Sequence, residues 1–308
     1  MFIITHRRIF YIFSGILIVA SFIAVGIWGL TLGIDFRGGA LLEIEYPAGR
    51  LETAVLRERL APLSLGESLR ETGEKGYIIR MKEVPADAQA GVADALTLGG
   101  TAEILVKRST TVGPLLGREA AIKSLLAIAL VLIAIILFIA YAFRKVSEPV
   151  SSWKYGIIAV VALLHDVFIP TGVFAALGRF KGIEVDTLFV TALLVILGFS
   201  VHDTIVVFDR TRENLRLARE RHDRKPFAEI VGESVSQTFT RSINTSLTTI
   251  LALLALYFFG PESTKYFSLA LIIGITVGTY SSIFIASPLL VTVEKWRRRK
   301  SLLSRDLP

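Results

Sequence analysis

LLVILGFSVHDTIVVFDRTREN, residues 193 to 214, is the stretch on which the fold of this chain turns. Its first half reads as an apolar helix fit for lipid, and near the end of that half stands one acid, Asp203. A carboxylate at the centre of a membrane helix costs roughly 2.5–3.5 kcal/mol on insertion scales. Six residues later, at Asp209 and Arg210, the chain reads as leaving the membrane. An acid so placed must face protein or water and must have a partner. The other helices are therefore expected to enclose Asp203 and let it exchange protons.

The rest of the chain supplies such helices. Fifty-three percent of its 308 residues are hydrophobic, too many for an ordinary soluble domain of this length. They come in blocks near the 20 or so residues that a bilayer span needs. No charge interrupts Arg8 to Asp35, Lys123 to Arg144, Arg241 to Glu262 or Lys265 to Glu294. Two more blocks, Lys154 to Arg179 and Asp186 to Asp209, each hold a single acid, Asp166 and Asp203. The expectation is six transmembrane helices. The first apolar run, Ile9 to Leu32, is too long for a secretory signal core and reads as an uncleaved anchor. With no cysteine there is neither a disulfide framework nor a thiolate metal site.

A net charge of +7 raises the question of nucleic acid, but its placement answers against it. Residues 33–118 carry 11 Lys/Arg against 12 Asp/Glu, so that region is near neutral. The excess sits at His6-Arg7-Arg8, Arg144-Lys145, Arg210 to Lys225 and Arg297 to Lys300. Six spans put these four places on one side, which the positive-inside rule makes the cytoplasm. Contact with anionic lipid then accounts for the charge. Both termini are expected to be cytoplasmic in a multi-pass membrane protein.

The expected organisation has three parts. Residues 1–32 form the N-terminus and the first span, and residues 33–118 form an extracytoplasmic domain. Residues 119–308 form helices two to six, with a cytoplasmic loop at 209–240 and a basic C-terminus. In the domain, Leu41 to Tyr46, Ser64 to Glu71, Tyr77 to Lys82 and Ala102 to Lys107 read as strands. Leu51 to Leu60 and Pro85 to Leu96 read as helices. That order, βαββαβ, predicts a small α+β ferredoxin-like module. It holds no clustered catalytic pair, and Gly38-Gly39 lacks the following Lys-Ser/Thr of a phosphate loop. A turn feeding the first strand is the expectation there. Charge-dense stretches on either side of Pro226 read as two amphipathic helices in the cytoplasmic loop.

Depth arithmetic relates the polar residues of the spans. Asp203 lies 17 residues after Asp186, about 25 Å at helical rise, and Arg241 lies 18 residues before Phe259, about 27 Å. The two opposite charges thus fall at similar depth. The pair reads either as a protonation switch that opens when the helices part, or as a static salt bridge. His165-Asp166 falls about 18 Å into the third span, near the midplane, with Pro170 and Gly172 beyond it. That pair reads as a helix cross-link or as a second station in a proton relay. Ser242, Asn244, Thr245, Ser246, Thr248 and Thr249 crowd the start of the fifth span and read as a wet seam, with Ser200 and Thr204 flanking Asp203. Gly274, Gly278 and Ser282, spaced four apart, read as a helix-packing stripe. No nucleophile with a base, metal triad or nucleotide loop is evident, so neither an enzyme nor a cofactor is expected.

The run GFSVHDTIVVFDRTREN closely resembles a signature of the SecF half of the SecD/SecF family of protein translocase subunits. So do IDFRGG after the first span, VGPLLG before the second, ALLHDV in the third, TRSINTSLTT in the fifth and GTYSSIFIASPLL in the sixth. The match runs through nearly the whole chain in order. The resemblance implies work with SecD beside the SecYEG channel, using the proton-motive force to draw secreted, unfolded polypeptides outward. It places the family's intramembrane acid on Asp203 and its arginine partner on Arg241. His202 stands where the family often has Asn, adding a titratable group or donating the same hydrogen bond. The SecD-like helices are expected from another chain. Two alternatives stand beside this reading: a small-molecule or lipid exporter of the resistance-nodulation-division type, and a passive membrane assembly factor. Sodium in place of protons also stays open.

Overall fold

A computed structural model describes residues 2–63, 68–82, 89–142, 152–223 and 225–303. Ser64 and Pro85, expected at the starts of a strand and a helix, lie outside the described residues, as do Arg144, Lys145 and Arg224. The chain divides into two compact units. A helical unit comprises residues 1–30, 127–183 and 188–308, and a sheet unit comprises residues 31–126 together with the four residues 184–187.

The helical unit opens with a short helix α1 (Phe2–Thr5) and then α2 (Arg7–Trp28). Gly29 ends α2 three residues before the expected Leu32: its φ of 67° suits glycine, and its N–H closes the last turn on Val25 O. Four more helices follow: α6 (Pro114–Ala142), whose residues up to Leu126 belong to the sheet unit, α7 (Ser152–Lys181), α8 (Thr187–Glu220), whose first residue does, and α9 (Phe227–Phe259). Last come α10 (Glu262–Ser281), a π-helical turn at Ser282–Ala286, and α11 (Ser287–Leu303), which continue one another. Among the described residues six helical spans are long and apolar enough to cross a membrane.

Several helices outrun their apolar stretches. Although its charge-free block begins only at Lys123, α6 starts at Pro114, a residue pre-organised for a first helical turn, and carries a Lys123–Glu119 ion pair of 2.6 Å before the apolar run. Hydropathy marks where lipid would begin, whereas proline and charge pairs mark where the helix begins. Likewise α8 runs unbroken past Asp209, supported by the pairs Arg210–Glu213 at 2.6 Å and Arg212–Asp209 at 3.2 Å. The two amphipathic helices expected around Pro226 are thus the far end of α8 and the near end of α9, which Pro226 caps.

In the sheet unit, α3 (Ile34–Arg37) leads to β1 (Gly39–Glu45), followed by α4 (Thr53–Leu60), β2 (Ser68–Thr72), β3 (Gly76–Met81), α5 (Gln89–Leu96) and β4 (Leu105–Val112). The strands pair antiparallel in the order β2-β3-β1-β4. The alternation of β1 and β3 buries Ile44, Tyr77 and Ile79 on one face, where Leu56 and Leu60 of α4 and Leu96 of α5 cover them. Tyr46 crosses this core to donate to Leu96 O at 2.8 Å. Strand β4 reaches Val112, five residues beyond the expected Lys107, because Thr110 to Val112 pair with Leu41 to Gly39. Lys107 to Val112 has no clean alternation, since β4 is largely exposed and buries no face.

Candidate functional site in the helical unit

Among the described residues three acids of the helical unit are buried, Asp166, Asp203 and Glu294, and the surroundings of the first two differ sharply. Asp166 on α7 is fully buried and richly satisfied. His165 Nδ1 lies 2.8 Å from its Oδ1, and its Oδ2 accepts from Ser200 Oγ of α8 and, at 2.7 Å, from Ser281 Oγ of α10. Three helices meet on one carboxyl group. The two serine hydrogen bonds cross between helices, and at about 0.5–1.5 kcal/mol each they tie α8 and α10 to α7. His165 stacks on Tyr280 with ring centroids 6.2 Å apart, and Tyr280 donates to Phe10 O of α2 at 3.2 Å. The other ring nitrogen of His165, Nε2, is buried with no hydrogen-bond partner among the described residues.

Asp203 stands one helical turn beyond Ser200 on α8 and is 3% exposed. Its Oδ2 makes no hydrogen bond among the described residues, and neither does the Thr204 or Ser242 hydroxyl. The Thr279 and Ser242 hydroxyls, with the His202 and Arg241 side chains, are the groups whose dipoles or charges act on it. No ion pair within 4 Å joins Asp203 to Arg241 among the described residues. Arg241 instead lines a cavity of about 320 Å³ with Val206, Asp209, Arg210, Glu213, Gln237 and Thr238, where Arg210 pairs with Glu213. The depth arithmetic placed the two charges at one level; the facing of the helices keeps them out of contact here.

The polar seam of α9 is narrower than its composition suggests. Thr245 donates to Arg241 O, Thr248 to Asn244 O and Thr249 to Thr245 O, each hydroxyl satisfied by its own helix. Asn244, Thr245 and Thr248 are exposed, as are His202 and Arg241. Only Ser242 and Ser246 of the seam turn inward, and Ser246 shares a 2.5 Å hydrogen bond with Thr279 of α10.

In sequence nothing sets Thr279 and Ser281 apart from the neighbouring hydroxyls of GTYSS. Two residues apart on a helix, they point to opposite sides, so Thr279 serves the Asp203 side while Ser281 serves Asp166. The small-residue stripe explains how α10 comes close enough. A Cβ on Gly274 would sit 2.1 Å from Ile196 Cδ1, and one on Gly278 would sit 3.1 Å from Ser200 Cβ, so both glycines pack against α8. Ser282 begins the π-helical turn, donating to Thr279 O and accepting from Ser287 through its own carbonyl. Turns of this kind are frequent at functional sites.

With this geometry in view, comparison with known proteins is decisive. The family described as protein export membrane protein SecD/SecF, C-terminal, matches residues 93–296, and the SecD/SecF GG motif matches residues 24–46. The chain belongs to the SecD/SecF family. Its relatives point to the SecF side. It is 44% identical to "Protein translocase subunit SecF" of Thermobaculum terrenum, covering 95% of this chain and 93% of that one. It is 38% identical to the protein of the same name from Synechocystis sp., over 94% and 93% of the two chains. To "Protein translocase subunit SecDF" of Brucella abortus it is 36% identical, over 94% of this chain but 37% of the relative. Among solved structures, SecDF from Thermus thermophilus superposes with a TM-score of 0.82 at 30% identity, over 95% of this chain and 38% of that one. The chain thus spans well under half of that structure. It is a multi-pass membrane protein of the SecD/SecF family, and the GG motif covers Gly38 and Gly39 at the head of β1.

Proposed function

We propose that this chain is the SecF half of a proton-driven auxiliary of the Sec protein translocase, a transporter component and not an enzyme. The observation that carries the mechanism is the contrast between its acids. Asp166 is fully satisfied and joins helices, whereas Asp203 is equally enclosed yet leaves Oδ2 without a hydrogen bond among the described residues. A carboxylate buried among apolar helices is costly, and the Thr279, Ser242, His202 and Arg241 groups that act on Asp203 leave its Oδ2 without a hydrogen bond among the described residues, so the site is suited to take up a proton. Arg241, beside its cavity, is the counter-charge that approaches Asp203 in another step of the cycle and drives the proton off. His202, Thr204, Ser242 and Thr279 frame the path, and His165-Asp166 serves as the fixed pivot.

A partner completes the site. His202, Arg241, Asn244, Thr245 and Thr248 are exposed in this chain, and polar groups at membrane depth are costly against lipid. SecD, fused to SecF in the SecDF relatives, supplies the covering helices and SecYEG the channel. In this reading residues 33–118 form an extracytoplasmic ferredoxin-like domain, supported by the strand order β2-β3-β1-β4. The spans at 1–32 and 119–308 lie in the inner membrane, with both termini and the loop 209–240 on the cytoplasmic side. Movement of the outer domain draws the emerging polypeptide outward. The test is ion-driven export in vesicles rebuilt with the partner subunits. Asp203→Asn is expected to abolish the gradient-dependent part while leaving the amount of folded protein unchanged. Undiminished export by that variant refutes the proposal.

A further inference from the structure

The GG-motif turn does more than feed β1. Asp35, on α3, accepts through Oδ2 from the backbone N–H of Thr187 at 3.0 Å and from Thr187 Oγ1 at 2.7 Å. Thr187 is the first residue of α8, the helix that carries Asp203. The first N–H groups of a helix have no partner within the helix. Here one is capped by a side chain 152 residues away in sequence. A carboxylate is also the right charge for that end of the helix dipole.

The contact does not stand alone. Gly33 donates to Val185 O at 2.8 Å and Val185 donates to Thr31 O at 2.7 Å, forming a parallel bridge between Leu32 and Val185. Next to it, Arg80 Nε of β3 meets Glu184 Oε2 at 2.8 Å. Residues 184–187 therefore form a strap held along its length by the sheet unit. The turn itself is enclosed by backbone. A Cβ on Gly38 would lie 2.7 Å from Pro114 Cα, one on Gly39 2.6 Å from Met81 O, and one on Gly117 2.8 Å from Gly38 N. Gly38 and Gly39 also hold φ of +79° and +129°, which side chains rarely adopt. Any residue larger than glycine would push α3 away from α6 and β3, and Asp35 with it.

We propose that Asp35 is a positioning residue that couples ion uptake to movement of the sheet unit. It clasps the first residue of the helix bearing Asp203, so that a shift of α8 is delivered to β1 and β3 without slack. This rests on the ion-driven reading above. Gly33, which donates to the strap, also leaves it little room to slide, because a Cβ there would lie 3.3 Å from both Glu184 Oε2 and Val185 O.

The experiment uses the full chain with its partner subunits in vesicles, reading ion flux and polypeptide export in the same preparation. Asp35→Ala is expected to lower export about tenfold, within the range that loss of a helix cap shifts an equilibrium. Ion flux should stay within about twofold, since Asp203 and its neighbours are untouched. Asp35→Asn keeps an acceptor oxygen for Thr187 and should retain export within about twofold. Unimpaired export by Asp35→Ala overturns the proposal, and so does a parallel fall in flux and export, the mark of general destabilisation. If Asp203→Asn abolishes both readouts while Asp35→Ala changes neither, the clasp alone fails. Undiminished flux and export in Asp203→Asn overturn the ion-driven reading and the clasp with it.

Discussion

Two glycines of α7 provide a controlled test of how closely its helices are packed. A Cβ on Gly172 would lie 2.4 Å from Ser21 Cβ and 2.5 Å from Ser21 Cα on α2. A Cβ on Gly156 would meet only Ile139 Cγ2, at an ordinary 3.9 Å. Carbon atoms attract best at about 3.5–4.0 Å, so Gly172→Ala demands a local separation of about 1 Å. Because Ser21 Cα belongs to the backbone, no side-chain rotation relieves the overlap. Overpacking of that kind costs about 1–3 kcal/mol, and the upper end applies where backbone must move. Against it stands the helix-propensity gain of glycine to alanine, about 1 kcal/mol. Gly172→Ala should therefore lose about 2 kcal/mol net, whereas Gly156→Ala should gain up to about 1 kcal/mol. Reversible unfolding of the two purified variants in one detergent, measured side by side, gives the comparison. Equal shifts of the same sign would refute the claim that α2 and α7 meet at Gly172 without spare room.

Other consequences follow from the same contacts. Asp166→Leu strands the Ser200 hydroxyl and His165 Nδ1, at about 1–3 kcal/mol for each buried group, and leaves Ser281 Oγ only its own-helix acceptor, Gly278 O. It should lower thermal stability well below that of Asp203→Leu, which removes no hydrogen bond from Oδ2; equal losses in a thermal scan would contradict the contrast between the two acids. In the sheet unit, burial raises Glu184 above its ordinary 4.5, and its attraction to Arg80 and Arg37 does not offset this. A raised carboxyl group contributes stability that is fully present below the ordinary value and lost as pH rises through the folded value. Hydrogen exchange of the β3 amides should accordingly quicken as pH rises through that window, after correction for intrinsic exchange. Glu184→Gln should flatten the dependence, and an unchanged slope would count against it.

The sequence by itself determined the membrane character of this chain and the residues that have to be explained. Desolvation is a property of composition, so six apolar runs and the lone acids Asp166 and Asp203 are legible without any contact. Alternation revealed β1 and β3, whose faces differ in burial. It found only the start of β4, whose further residues bury no face and are specified by pairing with β1. Hydropathy misplaced the starts of α6 and the extent of α8, because backbone hydrogen bonds continue a helix beyond its apolar part. Only the tertiary structure decided which polar groups meet. Ser281 reaches Asp166 from 115 residues away and Asp35 reaches Thr187 from 152. Arg241, though level with Asp203, turns to a cavity instead. Residue spacing fixes depth along one helix, but the direction a side chain faces across the bundle depends on how helices distant in sequence cross. That is set by close contacts such as Gly172 on Ser21 and Gly274 on Ile196, which no local pattern encodes.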